Sequence, residues 1–532
     1  MISLHALRRQ AVQQAARMSG WLDHSLLTRR VLVVAALLAA AYLSWRPSFR
    51  AAAVVYGAVA VWFLARQPRW VVPILILAGA LAPTTMRAGS DGRVNAAMLV
   101  IAAFIGAEIV RILVRREARL RPSPANAPWL ALIVAAGFSV VAGQAQWNPW
   151  VIVKSDFLTV QMAQWALYLL AAGAYFFSGT QLDRRPQLRI LLRVVLFLGA
   201  LRLALWLGLD PYVQWMGIIG GPVIRIWIVA VAAAYGLFDP GLARRPRAAM
   251  LALAAVTVLW PLLRHRSWAS GWMPALVCAG VIGLLWVWKL SSRAAVFTYL
   301  MVVLSGPIYY LVARGLAEDD AWSLDTRLIA LQGLSTLLQG RWLLGLGLAA
   351  YWHYWRDVIG QMSYVDPTTG YFHFTFNPTV NTHNNYLDVL GQMGLVGLAL
   401  FLWLLAALAW QGLRAFRAEA PGFGQAYAAA CVGGLAGMAF SGLLGDWIIP
   451  FVYNVGMNGF RDSFIGWLLL GGLTLLDATR EPASTGRGGA ATIAAPPAAT
   501  PAHDAAPAAG AIPDGRGHHS SAAPLPGSSP SP

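Results

Sequence analysis

A histidine followed by two asparagines stands where a polar, aromatic stretch gives way to a long apolar run: Asn381-Thr382-His383-Asn384-Asn385-Tyr386-Leu387. The apolar run predicts a helix. Thr382 or Asn381 is suited to cap it, because both side chains accept a bond from a backbone N–H one turn on. His383 then falls in the first turn, among unpaired N–H groups and the positive end of the helix dipole. Both disfavour imidazolium, so His383 is expected to be neutral near pH 7, as a general base requires. The same helix end would suit an anion such as a diphosphate.

Arginines supply the complementary chemistry. Arg327 opens a stretch with an apolar stripe, and Arg202 and Arg225 lie in or beside apolar runs, where a charge is costly and is usually functional or paired. Their guanidinium forks fit a diphosphate; the alternative is a structural pair with Asp210 or with backbone carbonyls. Arg264 and Arg266 flank His265 in a short loop and would hold phosphates or contact lipid headgroups. Asp388 lies one turn past Asn384, and either orients the site or caps polar groups. His353, His373, His383 and Asp366 fit no standard metal spacing, so neither a metal nor a cofactor is expected.

The elements that carry these residues follow from composition. Of 532 residues, 58% are hydrophobic and 12% charged, and mean hydropathy is +0.58. A soluble domain carries about 25% charged residues. An ordinary soluble enzyme is thereby excluded, and so is a disordered chain. Cys278 and Cys431 both lie in apolar runs and read as buried thiols. Runs approaching the ~20 residues that cross a bilayer occupy Val31–Trp45, Ala51–Ala65, Trp70–Met86, Val94–Val114, Ala127–Gly143, Phe157–Leu182, Ile190–Leu209, Val223–Phe238, Ala248–Leu263, Ser267–Trp288, Ala294–Ala313, Val389–Leu413, Ala420–Gly445 and Ser463–Leu476. The first three are short, which gives 12–14 transmembrane helices in an all-α polytopic membrane protein.

The net charge of +18 is topological. Arg8, Arg9, Arg17, Arg29 and Arg30, then Arg111, Arg115, Arg116, Arg119 and Arg121, then Arg184 and Arg185, Arg244, Arg245 and Arg247, Lys289 and Arg293, and Arg414 and Arg417 fall at the inner side in alternate loops. That is the positive-inside pattern with both termini cytoplasmic, and it accounts for the basic charge without nucleic acid. The expected organisation is a cytoplasmic segment 1–30 with a surface-lying helix, transmembrane helices over 31–316, a long outside loop over 317–384, C-terminal transmembrane helices over 385–476, and a Pro- and Ala-rich disordered tail over 477–532.

Only the loop before His383 is long. Leu324, Leu328, Leu331, Leu334 and Leu338 recur at helical spacing and predict an amphipathic helix there. Its aromatics, among them Trp342, Tyr351, Trp352, Tyr354 and Trp355, suit either an interfacial belt or stacking platforms for sugar rings. Downstream, Gly391, Gly394 and Gly397 are placed for close helix contact. Trp447-Ile448-Ile449-Pro450, after Asp446, reads as a short interfacial stretch. Glu108 and Arg111 read as an ordinary ion pair on one helix.

The run His383-Asn384-Asn385-Tyr386-Leu387 through Leu390, then Gly394-Leu395-Val396-Gly397, resembles the signature of the O-antigen ligase/polymerase superfamily. Asp325-Thr326-Arg327 and Arg341-Trp342-Leu343-Leu344-Gly345-Leu346-Gly347 resemble its arginine-led helix and later Gly-x-Gly turn. The family often has Glu where Gln392 stands and Asn-Pro where Arg341-Trp342 stands. The motifs cover residues 325–397, and elsewhere the likeness is one of hydropathy. The resemblance implies an inverting, metal-independent glycosyltransferase of the bacterial inner membrane, working on the periplasmic side. Its donor would be an undecaprenyl-diphosphate-linked glycan, and its acceptor lipid A–core (a ligase) or a second glycan (a polymerase). A branch that transfers glycan to protein shares the motif. In this reading His383 is the base, Arg327 lies near the sugar or diphosphate, and Asn384, Arg225, Arg202, Arg264 and Arg266 contact substrate. The rival from another class is a glycolipid transporter or flippase, which would call for helices broken near the bilayer midplane.

Overall fold

A computed structural model describes residues 92–115, 120–151, 155–204, 222–264, 269–290, 330–355, 382–454 and 459–479, with short pieces before and between them. Its helices are α1 (Ala96–Arg115), α2 (Asn126–Ala145), α3 (Phe157–Gln181), α4 (Arg185–Ala204), α5 (Pro222–Phe238), α6 (Arg244–Arg264), α7 (Ala269–Leu290), α8 (Asn385–Ala418), α9 (Phe423–Leu444), α10 (Phe460–Gly471) and α11 (Leu473–Ala478). Six of the described helices are long and apolar enough to cross a membrane, and Val223–Phe238 is a shorter apolar helix. The chain is a helical, multi-pass membrane protein. From Val94 onward every apolar window except Ala294–Ala313 coincides with a helix. That window, the two before Trp70, the segment 1–30, most of Trp70–Met86 and the tail beyond Thr479 lie outside the described residues.

Helix is the expected answer for these runs, because lipid offers no partner to backbone N–H and C=O groups. Two small antiparallel hairpins accompany the helices. One pairs β1 (Met86–Ala88) with β2 (Gly92–Val94), and the other pairs β3 (Ser363–Val365) with β4 (Phe372–Phe374) inside the long loop. The loop therefore holds a hairpin besides its helix.

The centre of the bundle is α9, packed against α5, α7 and α8. Its small residues make this possible. A Cβ on Gly433 would meet Ile282, one on Gly434 would meet Trp227, and one on Gly437 would come within 2.6 Å of the Pro274 carbonyl. Close backbone approach through small residues is how helices associate where lipid removes the hydrophobic drive. Cys278 and Cys431 are free thiols buried in this packing.

One end of the bundle gathers the cations. Arg185 holds Glu419 through two bonds of 2.9 and 2.8 Å. Arg414 pairs with Asp477 at 2.9 Å, and Lys289 donates to Gln425 at 2.8 Å. Glu108 and Arg111 form the expected ion pair. Asp477, placed at the head of the tail by sequence, belongs to α11 and to this network, where Gln411 also donates to it.

The longest helix, α8, is broken. Gly394 has φ 65° and ψ −162°, outside helical geometry. The expected helix-contact role of Gly394 is therefore corrected: it ends one helical half and starts another. About nine residues precede it, roughly 14 Å at 1.5 Å per residue. The break frees backbone groups, and the segment 342–347 takes them up. Leu346 N donates to Gly391 O at 2.8 Å and Gly347 N to Gln392 O at 3.1 Å, while Leu395 N donates to Trp342 O at 2.8 Å and Val396 N to Leu343 O at 3.3 Å. Ser139 of α2 adds a bond to Gln392 O at 2.7 Å. Irregular backbone within a membrane protein is tolerated where protein satisfies it in this way.

Candidate active site

The end of the bundle opposite the cations holds the His383 turn. Asn384 is the N-cap of α8, with extended backbone (φ −155°, ψ 112°), and its side chain accepts from Tyr386 N and Leu387 N at 2.9 and 3.2 Å. This corrects the expectation that Thr382 or Asn381 caps the helix and that His383 lies in its first turn. His383 instead immediately precedes the cap, in left-handed conformation (φ 47°) and half-buried. Thr382 has a different task. Its hydroxyl lies 2.5 Å from Asp388 Oδ1 and 3.0 Å from Asn384 O, and accepts from Asn384 N at 3.3 Å.

Asn384, expected to contact substrate, spends its amide on structure: Oδ1 caps the helix and Nδ2 donates to Leu443 O at 3.3 Å. Asn385 goes further. Its amide accepts from Ile448 N and donates to Ile449 O, both at 2.7 Å. Tyr386 donates to Ala439 O at 2.7 Å. The His383 turn is thus stitched to the end of α9 and to the segment that follows it. In that segment Ile448, Ile449 and Phe451 are buried inside the protein. Its backbone needs partners for that reason, and α3 provides them. Gln164 Nε2 donates to Pro450 O at 3.1 Å and Gln164 Oε1 accepts from Val452 N at 2.8 Å. Asp446, fully buried, accepts from Asn454 at 2.7 Å and lies beside Asp388.

The loop aromatics divide. Tyr351, Tyr354 and Trp355 are neither belt nor platform. They form a buried core with Leu334, Leu338 and Leu346 that packs on Val151 and Phe157. Gly333 lies directly under the Trp355 ring. Residues 330–337 are helical, as the leucine stripe predicts, with Leu334 and Leu338 turned into this core. His353 is enclosed by the rings of Trp147, Phe157, Trp352 and Tyr453, and its Nε2 lies 3.1 Å from the Tyr453 hydroxyl. Burial and the nearby Asp156 push the Tyr453 phenol up to about 12. Trp342 stays exposed.

Arg225 stands in the first turn of α5 and donates to the Gly271 carbonyl of α7, the backbone alternative named above. Arg202, in the last turn of α4, is buried, with Arg225 and Asp462 as its charged neighbours. Asp462 was missed in the sequence, where Asp210 was the acid considered. Asp462 comes from α10, far along the chain, and only packing reveals that it neighbours Arg202 as well as Arg461. Asp210 itself lies outside the described residues.

Arg225 and the His383 turn share an end of the bundle. Gly437 of α9 meets Ile226 and Cys278, whereas Gly442, five residues on, meets Tyr386. That separation is about 8 Å along the helix axis. Arg327 and Arg266 lie outside the described residues, as does the Arg264 side chain. Compared with protein-family models the chain gives no match, and no curated protein matches it by sequence.

Proposed function

We propose that the protein is an O-antigen ligase-like glycosyltransferase, which moves a glycan from undecaprenyl diphosphate to an acceptor hydroxyl on the periplasmic side of the bacterial inner membrane. The observation that carries this reading is the turn at His383. A half-buried histidine held in left-handed backbone just ahead of a helix cap, at the end of the bundle away from the cation-rich loops, supports reading it as the base. The positive-inside rule makes that end the outer one. In the proposed reaction His383 takes the proton of the acceptor hydroxyl. The acceptor oxygen bonds to the anomeric carbon as the bond to the diphosphate breaks, which inverts that centre. Arg225 and Arg202 receive the charge that gathers on the leaving diphosphate, and Arg327 joins them by resemblance. Fixed cations at a site of developing charge often supply the largest catalytic contribution.

The acceptor divides ligase from polymerase: lipid A–core for the first, a second lipid-linked glycan for the second. The test is transfer in proteoliposomes given a lipid-linked glycan and both acceptors. Wild type is expected to form product and His383→Ala none. Equal product from both removes His383 as the base.

The break at Gly394 favours one rival, a glycolipid transporter. Transporters use broken helices to bind ions or substrate with freed backbone groups. Here those groups are taken by residues 342–347, which supports an anchoring role for the break and leaves the transferase reading ahead. Donor crossing the bilayer without product formation would reverse that order.

A further inference from the structure

Left-handed backbone is unfavourable for a residue with a side chain, by about 1 kcal/mol or more. His383 adopts it in a turn of three residues, so something must hold that turn. The cap bonds of Asn384 fix the helix start, but they come after His383. The side chain that spans the turn is Thr382. Its hydroxyl accepts from the N–H of Asn384, one residue beyond the histidine, and shares its one proton between the Asn384 carbonyl at 3.0 Å and Asp388 Oδ1, one turn into the helix, at 2.5 Å. Thr382 is fully buried and Asp388 nearly so. The backbone of Asp388 is tied by Gln392, whose Nε2 donates to its carbonyl at 3.1 Å, and Asp446 stands beside its carboxyl group. Asp446 is held in turn by Asn454.

We infer that Asp388 is the positioning residue for His383, acting through the Thr382 hydroxyl to fix the left-handed turn. This rests on the transferase reading for its effect on rate, though not for its effect on geometry. Neither Thr382 nor Asp388 need touch substrate. Of the two expectations for Asp388, orienting the site or capping polar groups, the first is thereby given a route.

The experiment has two readouts on detergent-solubilised and reconstituted full-length protein. The first is carbethoxylation of His383 by diethyl pyrocarbonate, followed by mass spectrometry, with the buried His353 as internal reference for folding. The second is transfer kinetics with a lipid-linked glycan. Thr382→Val and Asp388→Asn are expected to raise the His383 modification rate several-fold with His353 still protected. They are expected to lower kcat about 30-fold with donor KM changed less than threefold, since a misplaced base costs rate before binding. Thr382→Ser keeps the hydroxyl and is expected to stay near wild type in both. Should Asp388→Asn expose His353, it is misfolded, and the Thr382→Val and Thr382→Ser pair decides alone. Wild-type His383 reactivity and kcat in Thr382→Val would overturn the inference. Wild type without transferase activity would overturn the transferase reading instead, and the modification rates would still decide whether Thr382 and Asp388 hold the turn.

Discussion

Gly345 and Gly394 meet backbone to backbone: a Cβ on Gly345 would lie 2.6 Å from Gly394 N, and Gly394 itself has φ 65°. The contact joins the long loop to the break in α8, so the site-bearing half of that helix is positioned by the loop. Gly394→Ala adds strain and a clash with the Leu343 carbonyl together, and is expected to cost about 3 kcal/mol or more. Gly340 is a built-in control. It also has positive φ (75°), but open space surrounds it. Gly340→Ala is expected to cost only about 1 kcal/mol. Thermal unfolding in detergent compares the two; similar losses would mean that the loop contact is not what matters.

Arg202 and Asp462 give a prediction that separates stability from activity. Asp462→Asn removes the buried carboxylate that neighbours both Arg461 and Arg202, which is expected to destabilise by about 1–3 kcal/mol. Replacing both together, Arg202→Met with Asp462→Leu, removes both charges and is expected to restore part of that stability, since Arg461 keeps its bond to the Gly79 carbonyl. On the proposed transferase reading the double variant is still expected to lose transfer activity, because the leaving diphosphate would lose a cation. A stable double variant with wild-type kcat/KM would reduce Arg202 to a structural residue.

The adjacent asparagines are expected to differ in effect. Asn384→Ala loses a helix cap, worth about 1 kcal/mol. Asn385→Ala strands a buried N–H and a buried C=O, each costing about 1–3 kcal/mol, and frees the 448–449 backbone. Unfolding of the two variants side by side checks the order; a costlier Asn384→Ala would place the main anchor at the cap.

The helices were legible because apolar length and backbone satisfaction in lipid leave one solution for such runs. That a helix begins close to His383 followed from the end of the polar loop, though not its first residue, and the helix at 330–337 followed from the spacing of the leucines. The cap was misassigned because Asn381, Thr382 and Asn384 are all good capping residues, and only the backbone angles choose between them. The break at Gly394 was hidden for a different reason. A glycine in an apolar run reads as a packing site unless the strand of loop that fills the break is known, and Gly345 is far from it in sequence. The buried fate of Tyr351, Tyr354 and Trp355 was hidden similarly, since an amphipathic aromatic suits a belt, a platform or a core equally. Asp462 needed three-dimensional proximity to be joined to Arg202.

Tyr453 links the buried His353 to the segment clamped by Gln164, and its ionisation should report on that segment. Its phenol is pushed up to about 12 from an ordinary 10, first by burial and then by Asp156. A phenol with a raised folded value binds its proton more tightly in the folded state. Its contribution to stability is therefore complete below about pH 10 and is lost as pH rises through about 12. Tyr453→Phe keeps the ring that stacks on Trp352 at 5.2 Å and removes the ionisation together with the bond to His353. The variant is expected to be less stable than wild type near pH 8, and the difference is expected to narrow as pH rises above 10. Denaturant midpoints of both proteins across this range, read beside the ultraviolet absorbance of phenolate, measure it. A difference that stays constant through pH 12 would mean that the half-buried Tyr453 hydroxyl is not held in the protonated state that its contact with His353 supports.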